Sequence, residues 1–304
     1  MLSGGAPSAT RSTARTKPPY RDREGGEKRA FGRSLMRGAN RLTMVVALLA
    51  WAFHPAEAAQ CSSTGGNFER WKAEFAAEAQ AAGLGGKALA ALGRTRYSTA
   101  TIRADRGQKS FELSLGEFMR VRGGQGIAER GKSIRNQMRQ LFAAIEQRYG
   151  VPPGPIIAIW GMETGFGRNL GKTNVLSAIA TLAYDCRRSA FFTEQLYAAL
   201  QLVDRGSLNP AAIGAAHGEI GQTQFLPANV VRFGVDGDGD GRVDLVKSQA
   251  DALASTANFL RAHGWRAGAG YQPGEPNFTA LQGWNAASVY QQAIATIGGE
   301  IDGL

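Results

Sequence analysis

Glu163 is the residue in this 304-residue chain whose setting most suggests proton chemistry. It closes the run Ile156-Ile-Ala-Ile-Trp-Gly-Met162, which has no polar face and reads as a buried helix; Thr164-Gly165-Phe166-Gly167 then breaks the helical pattern. A carboxyl group held against such a run loses hydration. That disfavours its charged form, raises its pKa and makes it a proton donor near neutral pH. The ordinary alternative is a glutamate at a helix end pointing into water, because glutamate is almost never buried without a partner.

A second acidic stretch points to a cation instead. Asp236-Gly-Asp238-Gly-Asp240-Gly241-Arg242-Val-Asp244 puts carboxylates at positions 1, 3 and 5 of a calcium loop, glycine at 6, the Arg242 carbonyl at 7 and Asp at 9. Position 12 is Lys247 where a bidentate Glu is expected, and a charged amine cannot ligate a hard cation. The alternative is an Asp-Gly-rich turn without metal. Paired Arg187 and Arg188 suit bidentate recognition of a carboxylate or phosphate, or else a solvated helix start. Gly221-Gln-Thr-Gln224-Phe225-Leu-Pro227 sets an amide and a ring beside glycine, a combination that suits a sugar cleft.

Other chemistries lack their residues. Of three histidines, His217 and His263 show no metal-ligand spacing, and His54 falls in an apolar leader. There is no nucleophile elbow, Walker A loop or complete dinucleotide fingerprint, so no organic cofactor is expected.

The elements that must position these groups read as helices. Phe68, Trp71 and Phe75 form one stripe, and Ile134, Met138, Leu141, Phe142, Ile145 and Tyr149 form a longer one. Glycine-rich breaks at 83–86 and 123–126 and the Gly150-Val-Pro-Pro-Gly154 turn punctuate them. Residues 174–184 read as a further helix, and Val289, Ala293, Ile294 and Ile297 mark a last one; no strand pattern of any length occurs. The expected organisation is a disordered N-terminus plus signal peptide over 1–58, an N-terminal helical part over 59–150 and a core over 151–304 that contains the acidic loop 236–251.

The net charge of +10 is concentrated at the front: residues 1–58 hold ten Lys/Arg against four Asp/Glu, leaving +4 for the rest. No basic block tracks a phosphate backbone, so no nucleic-acid partner is expected. Arg37 and Arg41, the apolar run Leu42–Phe53 and Ala56-Glu57-Ala58 make a secretory signal peptide. The run has about twelve residues where a spanning helix needs about twenty. Gln60 occupies the position before Cys61 that a lipoprotein signal reserves for a small residue, which argues against a lipid anchor. Export places the two cysteines, Cys61 and Cys186, in an oxidising compartment, where a disulfide between them is expected over two free thiols.

Five motifs in order carry a resemblance. They are Trp160-Gly-Met-Glu163-Thr-Gly-Phe-Gly167, Arg187-Arg188-Ser-Ala-Phe-Phe192, Gly221-Gln-Thr-Gln224-Phe225-Leu-Pro227, Ala257-Asn258-Phe259-Leu-Arg-Ala-His-Gly-Trp265 and Trp284-Asn285-Ala-Ala-Ser-Val-Tyr290. Over residues 61–297 the chain resembles the membrane-bound lytic murein transglycosylase B family of bacterial cell-wall enzymes. The resemblance implies a mainly α fold: a lysozyme-like helical core with an EF-hand-like metal loop, packed with the N-terminal helical part. Only about eighteen residues, 266–283, stand where longer relatives insert a β-domain, so that domain is expected to be absent.

The resemblance also implies cleavage of the MurNAc-GlcNAc β-1,4 bond of peptidoglycan without water, with Glu163 as the lone catalytic acid and base and 1,6-anhydromuramoyl ends as product. It places Arg187, Arg188, Gln224, Phe225, Asn258, Phe259, Trp284 and Tyr290 against substrate. Phe259 and Trp284 stand where many members have Tyr, which keeps stacking and loses a hydroxyl. The metal set it implies is Asp236, Asp238, Asp240, the Arg242 carbonyl and Asp244, completed by Asp251 in place of Lys247, around a structural Ca2+. Glu219 stands where relatives often carry a small residue and is expected to be a structural or subsite group. The expected partners are peptidoglycan glycan strands and other cell-wall enzymes, and the expected state is a periplasmic monomer. Two alternatives stay open: a hydrolytic muramidase using Glu163, and a non-catalytic peptidoglycan-binding scaffold.

Overall fold

The computed structural model describes residues 59–107 and 113–304; the expected signal segment lies outside the described residues. The described chain is mainly α, as the periodicities predict. At its centre is α7 (Pro153–Thr164), in which every residue from Pro153 to Met162 is buried. Pro153 starts it with φ already helical and no amide hydrogen to orphan. Gly165 ends it: at φ 59° it takes the left-handed conformation, and Gly165 N–H and Phe166 N–H turn back to the Gly161 and Trp160 carbonyls. Ile156, Ile157 and Ile159 are fully enclosed, each stabilising the fold by roughly 1.5–3 kcal/mol.

Three helices surround α7. They are α5 (Gly124–Gln137), α11 (Gln249–Ala262) and α13 (Ser288–Asp302). The α13 helix holds α7 at both ends. At the start of α7, Asp302 Oδ1 accepts from Gly154 N–H at 2.9 Å, a carboxylate on a helix N-terminus. Burial raises the Asp302 pKa, against hydrogen bonds from Tyr271 and Gly154 that lower it. There is no room for a side chain at this crossing: a Cβ on Gly154 would run into the Gly298 carbonyl.

The long stripe from Ile134 to Tyr149 predicts one helix, yet the structure shows two, α5 and α6 (Arg139–Tyr149), meeting at Met138 with φ −104° and ψ 27°. The bend lets α5 pack on α7 and α13 while α6 packs on α11, so both halves of the stripe stay buried. Further back, α1 (Phe68–Ala81) joins α8 (Val175–Tyr184) through rings: Tyr184 lies 5.5 Å from both Phe68 and Trp71. Cys61 and Cys186 form a disulfide beside this cluster, with Cα atoms 5.0 Å apart.

The named strands among the described residues are two residues each. Thr173–Asn174 pairs antiparallel with Ile213–Gly214, a length too short to show alternation in sequence. Residues 266–283 contain no named strand. Buried Asn277 ties that turn together through Arg266 N–H, the Arg266 carbonyl and the Ala269 carbonyl, and α12 (Phe278–Trp284) follows.

Candidate active site

Glu163 lies at the floor of a cleft of about 490 Å³ lined by Arg122, Glu163, His217, Glu219, Gln224, Phe225, Asn229, Phe259, Trp284 and Tyr290 among others. Its backbone is set by α7, one residue before the helix ends, so the buried apolar run delivers the carboxylate to the cleft. Two donors converge on one oxygen: Tyr290 O–H to Oε1 at 2.7 Å and Trp284 Nε1–H to the same atom at 3.1 Å. The first comes from α13 and the second from the end of α12. Desolvation raises the Glu163 pKa; the Tyr290 and Trp284 hydrogen bonds and the Arg122 charge oppose the rise, and the Glu219 charge adds to it. Tyr290 is pushed well above the ordinary tyrosine range, first by burial and then by Glu163 itself, so it stays a donor. This setting favours the protonated, proton-donating form relative to an exposed glutamate.

The glycine-rich turn after α7 docks against the opposite loop. Buried Thr164 donates to the Gln222 carbonyl at 2.6 Å and accepts from Gly167 N–H at 2.8 Å. Gly167, at φ 78°, has the Gln222 amide where a side chain would stand. The Gln222 loop is itself a tight hairpin closed by Ile220 and Phe225, which exchange backbone hydrogen bonds at 2.7 and 2.9 Å. At its tip Gln224 adopts φ 57°, and its amide donates to the Gly221 carbonyl at 2.7 Å. Phe225, Phe259 and Trp284 then meet edge to face, 5.2–5.9 Å apart, and form an aromatic wall.

The other residues singled out from sequence divide. Arg187 and Arg188 are about half exposed and both grip buried Asp105 of α3 (Thr99–Arg106). Burial would raise the Asp105 pKa, but the hydrogen bonds and charges of the two arginines override it and hold the carboxyl below its ordinary value. They do not line the cleft; His217, which does, lies with Nε2 3.8 Å from Asp105 Oδ1. Asn258 turns to the Phe233 carbonyl at 3.0 Å, behind the wall that Phe259 forms.

In the acidic loop, Asp236, Asp238 and Asp251 bring carboxylate oxygens within 4.8 Å of one another. Asp240 and Asp244 stand outside that trio, bonded to backbone N–H groups of Arg242, and of Val246 and Lys247. Asp251 is buried and accepts from Gly237 and Asp244 N–H at 2.8 and 2.7 Å, which folds the loop back onto α11. An all-oxygen donor set of converging carboxylates fits a hard cation.

Sequence reasoning did not single out Arg122, Asn229 or Asn285 as cleft residues. Arg122 ends α4 (Leu115–Arg122) and carries no local signal for its place near Glu163. His217 lacks metal-ligand spacing in the sequence, and that spacing says nothing of its hydrogen bonds.

The family described as Transglycosylase SLT domain matches residues 67–273. Membrane-bound lytic murein transglycosylase B of Escherichia coli (strain K12) is 37% identical over 151 residues, which are 47% of this chain and 42% of that protein. The chain thus matches less than half the length of that curated relative. SltB3 from Pseudomonas aeruginosa, solved in complex with NAG-anhNAM-pentapeptide, is similar at TM-score 0.73 and 28% identity, covering 79% of this chain and 80% of that one. Escherichia coli Slt35, solved in complex with calcium, shares the fold at TM-score 0.66 and 22% identity, covering 80% and 96%.

Proposed function

Because this chain belongs to the transglycosylase SLT domain family, we propose that it is a lytic transglycosylase cleaving the MurNAc-GlcNAc β-1,4 bond of peptidoglycan, with Glu163 as its single acid and base. The observation that carries this reading is the half-buried Glu163 carboxyl at the cleft floor, its Oε1 held by Tyr290 and Trp284. Neither donor holds Oε2, which is therefore the oxygen placed to meet the glycosidic oxygen. Protonated Glu163 gives its proton to that oxygen as the bond to C1 breaks, and the muramoyl acetamido oxygen closes on C1. The Glu163 carboxylate then takes the proton of the C6 hydroxyl, whose oxygen bonds to C1 and releases the acetamido group. Water is neither added nor lost.

The aromatic wall of Phe225, Phe259 and Trp284 would cover an apolar sugar face, and Gln224 would meet its polar groups. Asn258 would act from behind by fixing the wall. The relative SltB3 holds a NAG-anhNAM-pentapeptide, and glycopeptides of that kind are the ligand class proposed here. A stem-peptide carboxylate reaching Arg187 and Arg188 would compete there with Asp105.

Asp236, Asp238 and Asp251 would hold a calcium ion, with Asp240, Asp244 and the Arg242 carbonyl as further ligands. When bound, the ion supplies charge neutralisation that braces the loop on α11; Asp251 orients the loop through Gly237 and Asp244. An exported, periplasmic monomer is proposed on the leader-like segment before residue 59; among the described residues no helix is long and apolar enough to cross a membrane.

The test is mass spectrometry of muropeptides released from purified sacculi by the mature protein. Ends lighter by one water than reducing ends are expected. Reducing ends alone would replace this reading with hydrolysis, and sacculus binding without cleavage would replace it with a scaffold role.

A further inference from the structure

The cleft lining holds two carboxylates, Glu163 and Glu219, and the proposed reaction uses one. Glu219 belongs to the 215–219 turn, where Ala215 N–H donates to the Glu219 carbonyl and flanking Ala215 and Ala216 add no polar side chain to the cleft. His217 holds it from two sides: its backbone N–H donates to Glu219 Oε2 at 3.0 Å, and its Nδ1 lies 3.3 Å from Oε1. His217 is in turn enclosed, 12% exposed at the side chain, with no hydrogen bond at buried Nε2 and Asp105 3.8 Å away. Glu219 itself keeps 23% of its side-chain surface open. A carboxylate held by the enclosed His217, in the cleft lining and partly open, is placed to order a water molecule.

We infer that Glu219, positioned by His217, is a water-directed general base that diverts part of the reaction to hydrolysis. This inference rests on the reading above that Glu163 generates a cyclised muramoyl intermediate. In that intermediate C1 is bonded to the acetamido oxygen. Water attacks C1 on the face opposite that oxygen: the water oxygen bonds to C1, the C1 bond to the acetamido oxygen breaks with its electron pair returning to the acetamide, and the water proton passes to Glu219. The product is a reducing muramoyl end of retained configuration. The C6 hydroxyl and the water compete for one carbon, and Glu219 sets the share that water takes.

The test digests sacculi in water enriched in oxygen-18 and reads labelled reducing ends against unlabelled 1,6-anhydro ends by mass spectrometry. The wild type gives both, and in Glu219→Gln the labelled-to-anhydro ratio falls at least about tenfold, the lower range of what a general base supplies. Glutamine keeps the shape and an acceptor for His217 N–H, and the ratio is internal to each sample, so a partial loss of folded protein cancels. His217→Ala lowers the ratio in the same direction by releasing the carboxylate. Anhydro ends alone from the wild type, or a ratio unchanged in Glu219→Gln, overturns the hydrolytic branch and leaves transglycosylation standing. Sacculi left uncleaved by the wild type overturn the underlying reading and the branch with it.

Discussion

Glu163 and Asp236 carry the same functional group in opposite surroundings. Glu163 ends an apolar helix, where desolvation outweighs the two side-chain donors on its one oxygen and its pKa rises. Asp236 sits in an open loop whose turns aim backbone N–H groups at both of its oxygens, Gly241 at 2.8 Å and Gly239 at 2.6 Å, and these hold its pKa below the ordinary value. One carboxyl group is kept ready to hold a proton, the other ready to hold a cation. The difference lies in the backbone around each group, because a helix end surrounded by packed side chains offers few donors and a glycine-rich loop offers many.

The largest expected effect breaks the first half of that contrast. Glu163→Gln keeps shape and hydrogen bonding but cannot donate the proton, so turnover on sacculi falls about 10²–10⁴-fold while glycan binding persists. Unchanged release of muropeptides would remove Glu163 from the reaction. The second half is broken by chelation: if the Asp236 loop holds a cation, its removal costs about 2.7 kcal/mol at a hundredfold excess over Kd. Differential scanning calorimetry should then show a melting temperature lower by several degrees, and an unmoved transition would mean no metal.

Smaller changes sharpen the comparison. Tyr290→Phe deletes a donor that stabilises the charged form of Glu163, so the Glu163 pKa rises further and the alkaline limb of the rate profile moves to higher pH. A shift to lower pH would contradict the geometry. The smallest effect is on stability. Because the folded pKa of Glu163 lies above its unfolded value of about 4.3, the native state binds the extra proton and wild-type stability declines as pH climbs through that window. Glu163→Gln should therefore gain melting temperature relative to the wild type as pH rises from 4 toward neutrality, and thermal scans at several pH values would show the sign of that difference.

Much of this arrangement was legible in the residues. The apolar run before Glu163, the break at Gly165 and the spacing of Asp236, Asp238 and Asp240 are local signals, because helix burial and loop turns are set within a few residues. The convergence of Trp284 and Tyr290 on Glu163 spans 121 and 127 residues, and no periodicity encodes it. Trp284 was expected to stack and to lack a hydroxyl contact; its indole N–H supplies a donor that the comparison with Tyr left out. Arg187 and Arg188 look alike in sequence whether they face a ligand or Asp105, which lies 82 residues from Arg187. The bend at Met138 was hidden for a related reason: two helices whose buried faces continue one another read as one stripe.

The grip of α13 on both ends of α7 makes the pair a lever. Its fulcrum is the glycine crossing where Gly154 meets the Gly298 carbonyl with no space for a side chain. Its working end, where Tyr290 meets Glu163, lies nine residues or about 13 Å further along α7. A side chain added at the crossing would have to push α13 away from α7, and the Tyr290–Glu163 hydrogen bond is carried by that same pair of helices.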